Sequence, residues 1–198
     1  MKSKFKYLIG IDEVGRGPLA GPVVVGVVVF QAGFNEKLLK GIKDSKKLTL
    51  NKRVEWFKKL DDLKRNGEID YIVSFSNASV IDKKGIAKTI NNLIERSLFK
   101  LNLPPKDSLI LLDGGLKAPL VYKNQETIVK GDEKEVVISS ASIMAKVTRD
   151  NRMVNHSFKY KGYGFERNMG YGTKEHINFL KKVGPSSIHR LSYIKNFY

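Results

Sequence analysis

The chain contains no cysteine. Disulfides, zinc–thiolate sites and thiol nucleophiles are therefore excluded, and the absence fits a reducing cytoplasm. Histidine is almost as scarce. His156, His176 and His189 are the only three in 198 residues, too few for a histidine-rich metal site. Long apolar runs are missing too. The longest, Pro22 to Phe30, is far shorter than the roughly 20 residues that cross a bilayer, so no membrane partner is expected. The basic residues at the start are followed by neither an apolar signal core nor a small-residue cleavage site. No Gly-x4-Gly-Lys-Ser/Thr loop occurs, which disfavours nucleoside triphosphate hydrolysis. Acid is in deficit: 20 Asp and Glu stand against 36 Lys and Arg, a net charge of +16. Such an imbalance points to a polyanionic partner, with nucleic acid the default.

What is present reads as one domain with a small appendage. At 41% hydrophobic the chain can bury a core, and it shows no internal repeat or low-complexity linker. Tyr7–Asp12 and the β-branched run Val23–Phe30 predict two strands, close enough to pair antiparallel. Thr49 predicts the cap of a helix to about Arg65, and Tyr71–Ser76 a third strand. The spacing of Ile86, Ile90, Leu93, Ile94 and Leu98 predicts one helix from about Ser79 to Phe99. Leu109–Leu112 and Thr127–Lys130 read as further strands, and 138–155 as a helix lined with small residues. Thr173 predicts the cap of a short helix stopped by Gly184-Pro185. The expected class is α/β, a mixed sheet covered by helices. The catalytic part is expected over 1–158, with a C-terminal helical extension over 159–198.

Three acidic positions share one description. Asp12-Glu13, Asp113 and Asp132 each follow an apolar strand and adjoin glycine. Successive strand residues point to opposite faces, so Asp12 and Glu13 share a site only if the strand ends or bends there. Any of these acids can equally be a solvated turn residue. Gathered at the strand ends of one sheet, they would raise one another's pKa values, a conflict that divalent cations relieve. Oxygen ligands without thiolate or clustered imidazole select Mg²⁺ or Mn²⁺. In a basic protein that chemistry is metal-assisted attack on a phosphodiester. Gly15-Arg16-Gly17 is a tight loop whose backbone can approach a sugar or phosphate, with Arg16 adding charge. Lys46 and Lys47 are candidate phosphate contacts, and Lys146 is spaced to pair with Asp150 at i, i+4. In Gly170-Tyr171-Gly172-Thr173, Tyr171 is set between glycines as a stacking platform.

These residues resemble the ribonuclease HII family over about Tyr7–Tyr193. The resemblance rests on Gly10-Ile-Asp-Glu-Val-Gly-Arg-Gly-Pro-Leu-Ala-Gly-Pro22, Asp44-Ser-Lys-Lys-Leu48, Ile81-Asp82, Asp113-Gly114, Lys130-Gly-Asp132, Ala141–Asp150, Gly170-Tyr-Gly-Thr173 and His189-Arg190. It implies a ribonuclease H-like sheet with a C-terminal helical extension. It further implies Mg²⁺- or Mn²⁺-dependent endonucleolysis of the RNA strand of RNA–DNA hybrids, and nicking 5′ of single ribonucleotides in duplex DNA. Asp12, Glu13, Asp113 and Asp132 would be the metal-binding catalytic acids. Gly15, Arg16 and Gly17 would read the 2′-hydroxyl, the group that separates RNA from DNA. Tyr171 would stack on the sugar of the following deoxynucleotide.

The chain departs from the family pattern at Asn168-Met169, where His-Lys is common, at Ser139-Ser140, where alanines are, and at Tyr193, where phenylalanine is. The sibling ribonuclease HIII lacks the loop arginine and carries an N-terminal substrate-binding domain. Arg16 and a first strand beginning near residue 5 argue against it. A non-catalytic nucleic-acid-binding module would need none of the four acids. A monomer is expected, with protein partners unspecified.

Overall fold

The computed structural model of the chain describes residues 4–42 and 48–197. Its centre is a five-stranded sheet in the order β3-β2-β1-β4-β5. The strands are β1 (Tyr7–Val14), β2 (Val23–Gln31), β3 (Ile69–Ser76), β4 (Ser108–Asp113) and β5 (Gln125–Ile128). The first three pair antiparallel, while β4 runs parallel to both β1 and β5. β2 is buried from Val23 to Phe30, as a β-branched run covered on both faces must be.

Pleat alternation divides the core in two. Ile9, Ile11, Val25 and Val27 face Ile90, Leu93, Ile94 and Leu98 of α3 (Ile86–Leu101). Val28, Phe30 and Leu111 face the other way, toward α1 (Leu50–Arg65) and α5 (Val136–Lys159). Two glycines let α5 lie almost against the sheet. A Cβ on Gly10 would come within 2.3 Å of the Val137 carbonyl oxygen, and one on Gly26 within 2.2 Å of that of Ala141.

The expected mixed sheet flanked by helices is the fold observed, and the Thr49 and Thr173 caps are both in place. Four boundaries differ. The helix expected over 79–99 is two, α2 (Ala78–Lys84) and α3, because Gly85 takes φ +79° and turns the chain between them. β1 does not stop at Asp12, since Asp12 and Glu13 remain paired with Gly26 and Val25. β5 ends at Ile128, so Asp132 sits instead in the single turn α4 (Gly131–Lys134). α5 runs to Lys159, past its expected end.

Residues beyond α5 form α6 (Phe165–Asn168), α7 (Lys174–Val183) and α8 (Leu191–Ile194). Their apolar side chains, among them Phe165, Leu180 and Ile194, close around Leu19, Ala20 and Met153. The C-terminal segment thus packs on the loop that follows β1. Asp82, at the end of α2, accepts the Leu191 and Ser192 N–H groups at 2.8 and 2.9 Å and caps α8. Among the described residues no helix is long and apolar enough to cross a membrane.

Candidate active site

β1 delivers its last residues to a cavity of about 350 Å³. Asp12 points to the α5 side of the sheet and Glu13 to the α3 side, as alternation requires. At the strand end both reach the same cavity. Asp12 is 4% exposed, accepts a hydrogen bond from the Ser142 hydroxyl, and also accepts the Glu13 N–H at 2.7 Å. Burial pushes its carboxyl up to about 7. The Ser142 hydrogen bond opposes that shift, and the neighbouring Asp113 and Glu13 charges add to it. Glu13 is raised by burial, against a counteracting ion pair with Arg16 at 3.0 Å. Asp113 closes β4 and accepts the Gly131 N–H at 2.7 Å. That bond fixes the turn carrying Asp132, which is 1% exposed. Ser139 adds a second tie, donating its hydroxyl to the Asp132 carbonyl at 2.5 Å.

Two buried guanidinium groups hold the loop between β1 and β2. Arg190, fully buried, donates to the carbonyls of Gly15 (2.6 Å), Arg16 (2.8 Å) and Gly21 (3.1 Å). Arg149, also fully buried, donates to Pro22 (2.9 Å) and Ala20 (3.3 Å). A glycine-rich turn directs many carbonyls one way, and they require donors once water is excluded. The turn is further sewn to Gly170, whose carbonyl accepts the Leu19 and Ala20 N–H groups at 2.8 and 3.2 Å. Gly170 itself takes φ +84°, and a Cβ there would lie 2.3 Å from the Ala20 oxygen.

The Gly170–Thr173 loop brings Tyr171, 44% exposed, to the mouth of the cavity. A chain of hydrogen bonds through two buried histidines sets its backbone. The Ser186 N–H donates to His189 Nδ1 at 3.0 Å, so this neutral ring carries its proton on Nε2. Nε2–H then donates to His176 Nε2 at 2.9 Å. That leaves the His176 proton on Nδ1, which donates to the Tyr171 carbonyl at 2.8 Å. Burial lowers both imidazoles, His189 to about 4 with help from the neighbouring His176, and keeps the chain neutral.

A family model for ribonuclease HII matches residues 9–196. The chain belongs to the ribonuclease HII family. It is 42% identical over 192 residues to a ribonuclease HII of Clostridium perfringens, covering 97% of this chain and 68% of that protein. The identity is also 42% to a ribonuclease HII of Caldicellulosiruptor bescii, covering 97% and 88%. Its fold is similar to that of ribonuclease H2 from Pyrococcus horikoshii, with a TM-score of 0.73 at 31% identity over 94% of this chain and 93% of that one. As a ribonuclease HII it is a hydrolytic nuclease, of a family that cuts the RNA strand of RNA–DNA hybrids endonucleolytically.

Within this ribonuclease HII the expected residues gather unevenly. Asp12, Glu13, Gly15, Arg16, Gly17, Lys146 and Tyr171 line one cavity, with Ser142 added. Asp113 approaches it from the adjoining strand, near enough to act on Asp12 and Glu13. Asp132, on the turn that Asp113 anchors through Gly131, does not line the cavity. Lys46 and Lys47 lie outside the described residues. Lys146 pairs with Asp150 at 2.9 Å, as their spacing predicts. Asn168, where the family often has histidine, is buried. It donates to the Tyr163 carbonyl at 2.7 Å and accepts the Gly170 N–H at 2.8 Å, so it shapes the Tyr171 loop from within. The sequence picks out the stretches that hold Ser142, Arg149 and His189-Arg190, but not the contacts these side chains make.

The donor set suits a hard divalent cation. Every candidate ligand is a carboxylate oxygen. The elevation of Asp12 comes first from burial, and the Asp113 and Glu13 charges add to it; a bound cation would offset both. Among the described residues no three acids are drawn together tightly enough to hold an ion as they stand. Glu13 is turned to Arg16, and Asp113 to the Gly131 N–H.

Proposed function

We propose that this ribonuclease HII also nicks duplex DNA on the 5′ side of a single embedded ribonucleotide, by two-metal-ion hydrolysis leaving a 3′-hydroxyl and a 5′-phosphate. The observation that supports this reading is one cavity lined at once by Asp12, Glu13, the Gly15-Arg16-Gly17 turn and Tyr171. Groups suited to cleavage and groups suited to reading a ribose therefore stand around the same sugar-sized space.

Asp12, Glu13 and Asp113, with Asp132 beside them, would hold Mg²⁺ or Mn²⁺. Bound there, the ions supply positive charge for the attacking water and the departing oxygen. The protein's own part is orientation. The Gly15-Arg16-Gly17 backbone would approach a 2′-hydroxyl, with Gly17 leaving room because it has no Cβ, while Gly15 lets the turn close on Arg149. A Cβ on Gly17 would be 4.0 Å from the Tyr171 ring, its nearest neighbour, so the space over that residue is open. The Arg190 and Arg149 clamps keep the turn from relaxing when a ligand enters. Lys146 would meet a backbone phosphate, and Tyr171 would stack on the next sugar. Residues 159–198, which carry Tyr171 and Arg190, would act as the substrate-reading extension of a catalytic unit spanning 1–158. A cytoplasmic enzyme working as a monomer suits this scheme.

The test is a matched set of duplexes that differ only at one sugar: ribose, deoxyribose or 2′-O-methylribose. Cutting confined to the ribose duplex supports reading of a free 2′-hydroxyl. Equal cutting of the 2′-O-methyl duplex would contradict it.

A further inference from the structure

His189 and Arg190 are neighbours in the chain, and each holds a different part of the cavity lining. Backbone pairing sets both against the loop that follows β1. His189 forms a bridge with Ala20. The Gly21 N–H donates to the Ile188 carbonyl at 2.8 Å, and the Arg190 N–H donates to the Leu19 carbonyl at 2.8 Å. From that fixed point the Arg190 guanidinium reaches the Gly15 and Arg16 carbonyls. His189 reaches the Tyr171 carbonyl, through His176. One dipeptide thus ties the Gly-Arg-Gly turn and the stacking tyrosine to a common base.

The Tyr171 backbone is pinned on both sides. The Gly170 carbonyl, just before it, accepts the Leu19 and Ala20 N–H groups. Its own carbonyl accepts the His176 Nδ1–H at 2.8 Å. Peptides are planar, so fixing the two that flank the Tyr171 Cα sets the direction in which its side chain leaves the backbone. The other bonds of this peptide, from the Tyr171 N–H to the Asn168 carbonyl and from the Thr173 N–H to the Tyr171 carbonyl, close within the loop and would move with it. His176 cannot shift easily. It is 0% exposed, and Phe165 meets its ring edge-on at 5.3 Å between centroids. Neutral rings joined Nε2 to Nε2 share one proton, and the Ser186 N–H on His189 Nδ1 decides which ring carries it.

We propose that His176, aligned by His189, is a positioning residue for substrate selection, setting where the Tyr171 ring stands relative to the Gly15-Arg16-Gly17 turn. The proposal rests on the reading of Tyr171 and the turn given above, and it adds the residues that hold the two in register.

Two substitutions at one position test it. Asparagine carries its amide where histidine has Nδ1, and glutamine carries one where histidine has Nε2. His176→Asn can still donate to the Tyr171 carbonyl but gives up His189. His176→Gln can still accept from His189 but withdraws the donor from Tyr171. Glutamine fills more of the ring's volume, so a merely structural role makes it the milder change. Positioning predicts the reverse order. Both variants are assayed with metal on a uniform RNA–DNA hybrid and on duplex DNA carrying one ribonucleotide, with thermal melting as the check on folding. His176→Gln is expected to raise KM roughly three- to tenfold, more on the single ribonucleotide than on the hybrid, with the loss falling on KM rather than kcat. His176→Asn should recover most of that loss. A glutamine variant equal to or better than the asparagine variant would overturn the proposal. A second measurement needs no variant: nitrogen NMR of the parent's imidazole rings in EDTA should show His176 protonated on Nδ1 and His189 on Nε2. His176 protonated on Nε2 would also overturn it. A parent that fails to nick the single ribonucleotide would contradict the earlier reading alone, since the hybrid KM order and the ring tautomers still decide this one.

Discussion

Asp12 and Asp113 stand side by side on one face of the sheet, one step past Ile11 and Leu112, the last pair in the parallel register of β1 and β4. Adjacent strands are about 4.8 Å apart, so two carboxylates are held together by register alone. Burial beneath α5 then raises Asp12 to about 7. Keeping a charge on Asp12 beside Asp113 costs stability.

Neutralising either acid should therefore separate binding from cutting. Asp12→Asn and Asp113→Asn are expected to lose hydrolysis of a hybrid by on the order of 10³-fold or more, while the hybrid still binds in EDTA. Gel-based cleavage and fluorescence anisotropy measure the two. Normal-rate cutting by either variant would remove the acids from the reaction.

The elevated Asp12 pKa carries a stability prediction with a definite sign. A carboxyl whose folded pKa lies above its unfolded value of 3.8 favours folding at low pH, and that contribution is lost as pH rises through about 7. Without metal, Asp12→Asn should remove this loss and be more stable than the parent at pH 8, by on the order of 1–3 kcal/mol. The difference should vanish near pH 4. Melting curves in EDTA at the two pH values decide it, and a variant no more stable at pH 8 would count against the buried-charge account.

The two outer glycines of the Gly-Arg-Gly turn should behave differently on substitution. A Cβ on Gly15 would lie 2.4 Å from Arg149 Nε and 2.8 Å from the Pro22 oxygen, at φ +98°. Gly15→Ala should lower stability by about 1–3 kcal/mol as well as activity. At Gly17 nothing closer than 4.0 Å opposes a Cβ. Gly17→Ala should melt like the parent yet cut single ribonucleotides at least about tenfold more slowly, because the methyl group enters the space a ribose would use.

Tyr171 gives a test of selectivity. Tyr171→Ala should weaken cutting at a single ribonucleotide more than cutting of a uniform hybrid, by roughly 1–3 kcal/mol of stacking. Tyr171→Phe, which keeps the ring, should restore most of it. Equal losses on both substrates would argue for a merely structural tyrosine.

The layout of the sheet was legible because its strands are short, β-branched and closed by glycine, as Val23–Phe30 shows best. Thr49 and Thr173 marked their helices because capping is local chemistry. Gly85 does not show as a break in the sequence because the apolar spacing runs on across it, and only its positive φ reveals the turn. The acids stood out by residue type and position. Their supports did not: Arg190 reaches Gly15 across 175 residues and Arg149 reaches Pro22 across 127, and no local pattern encodes such contacts. No link of the histidine chain spans more than 13 residues, but its pairing depends on how α7 and the segment after it fold together, which no spacing rule encodes.

The most direct measurement is incubation of the protein with duplex DNA carrying one ribonucleotide, in Mg²⁺ or Mn²⁺ and again with EDTA, with the product ends mapped. The account predicts a single nick 5′ of the ribonucleotide, a 3′-hydroxyl and a 5′-phosphate, no cut in EDTA and none by Asp12→Asn. An intact duplex in the presence of metal, or a nick that persists in EDTA, would contradict it.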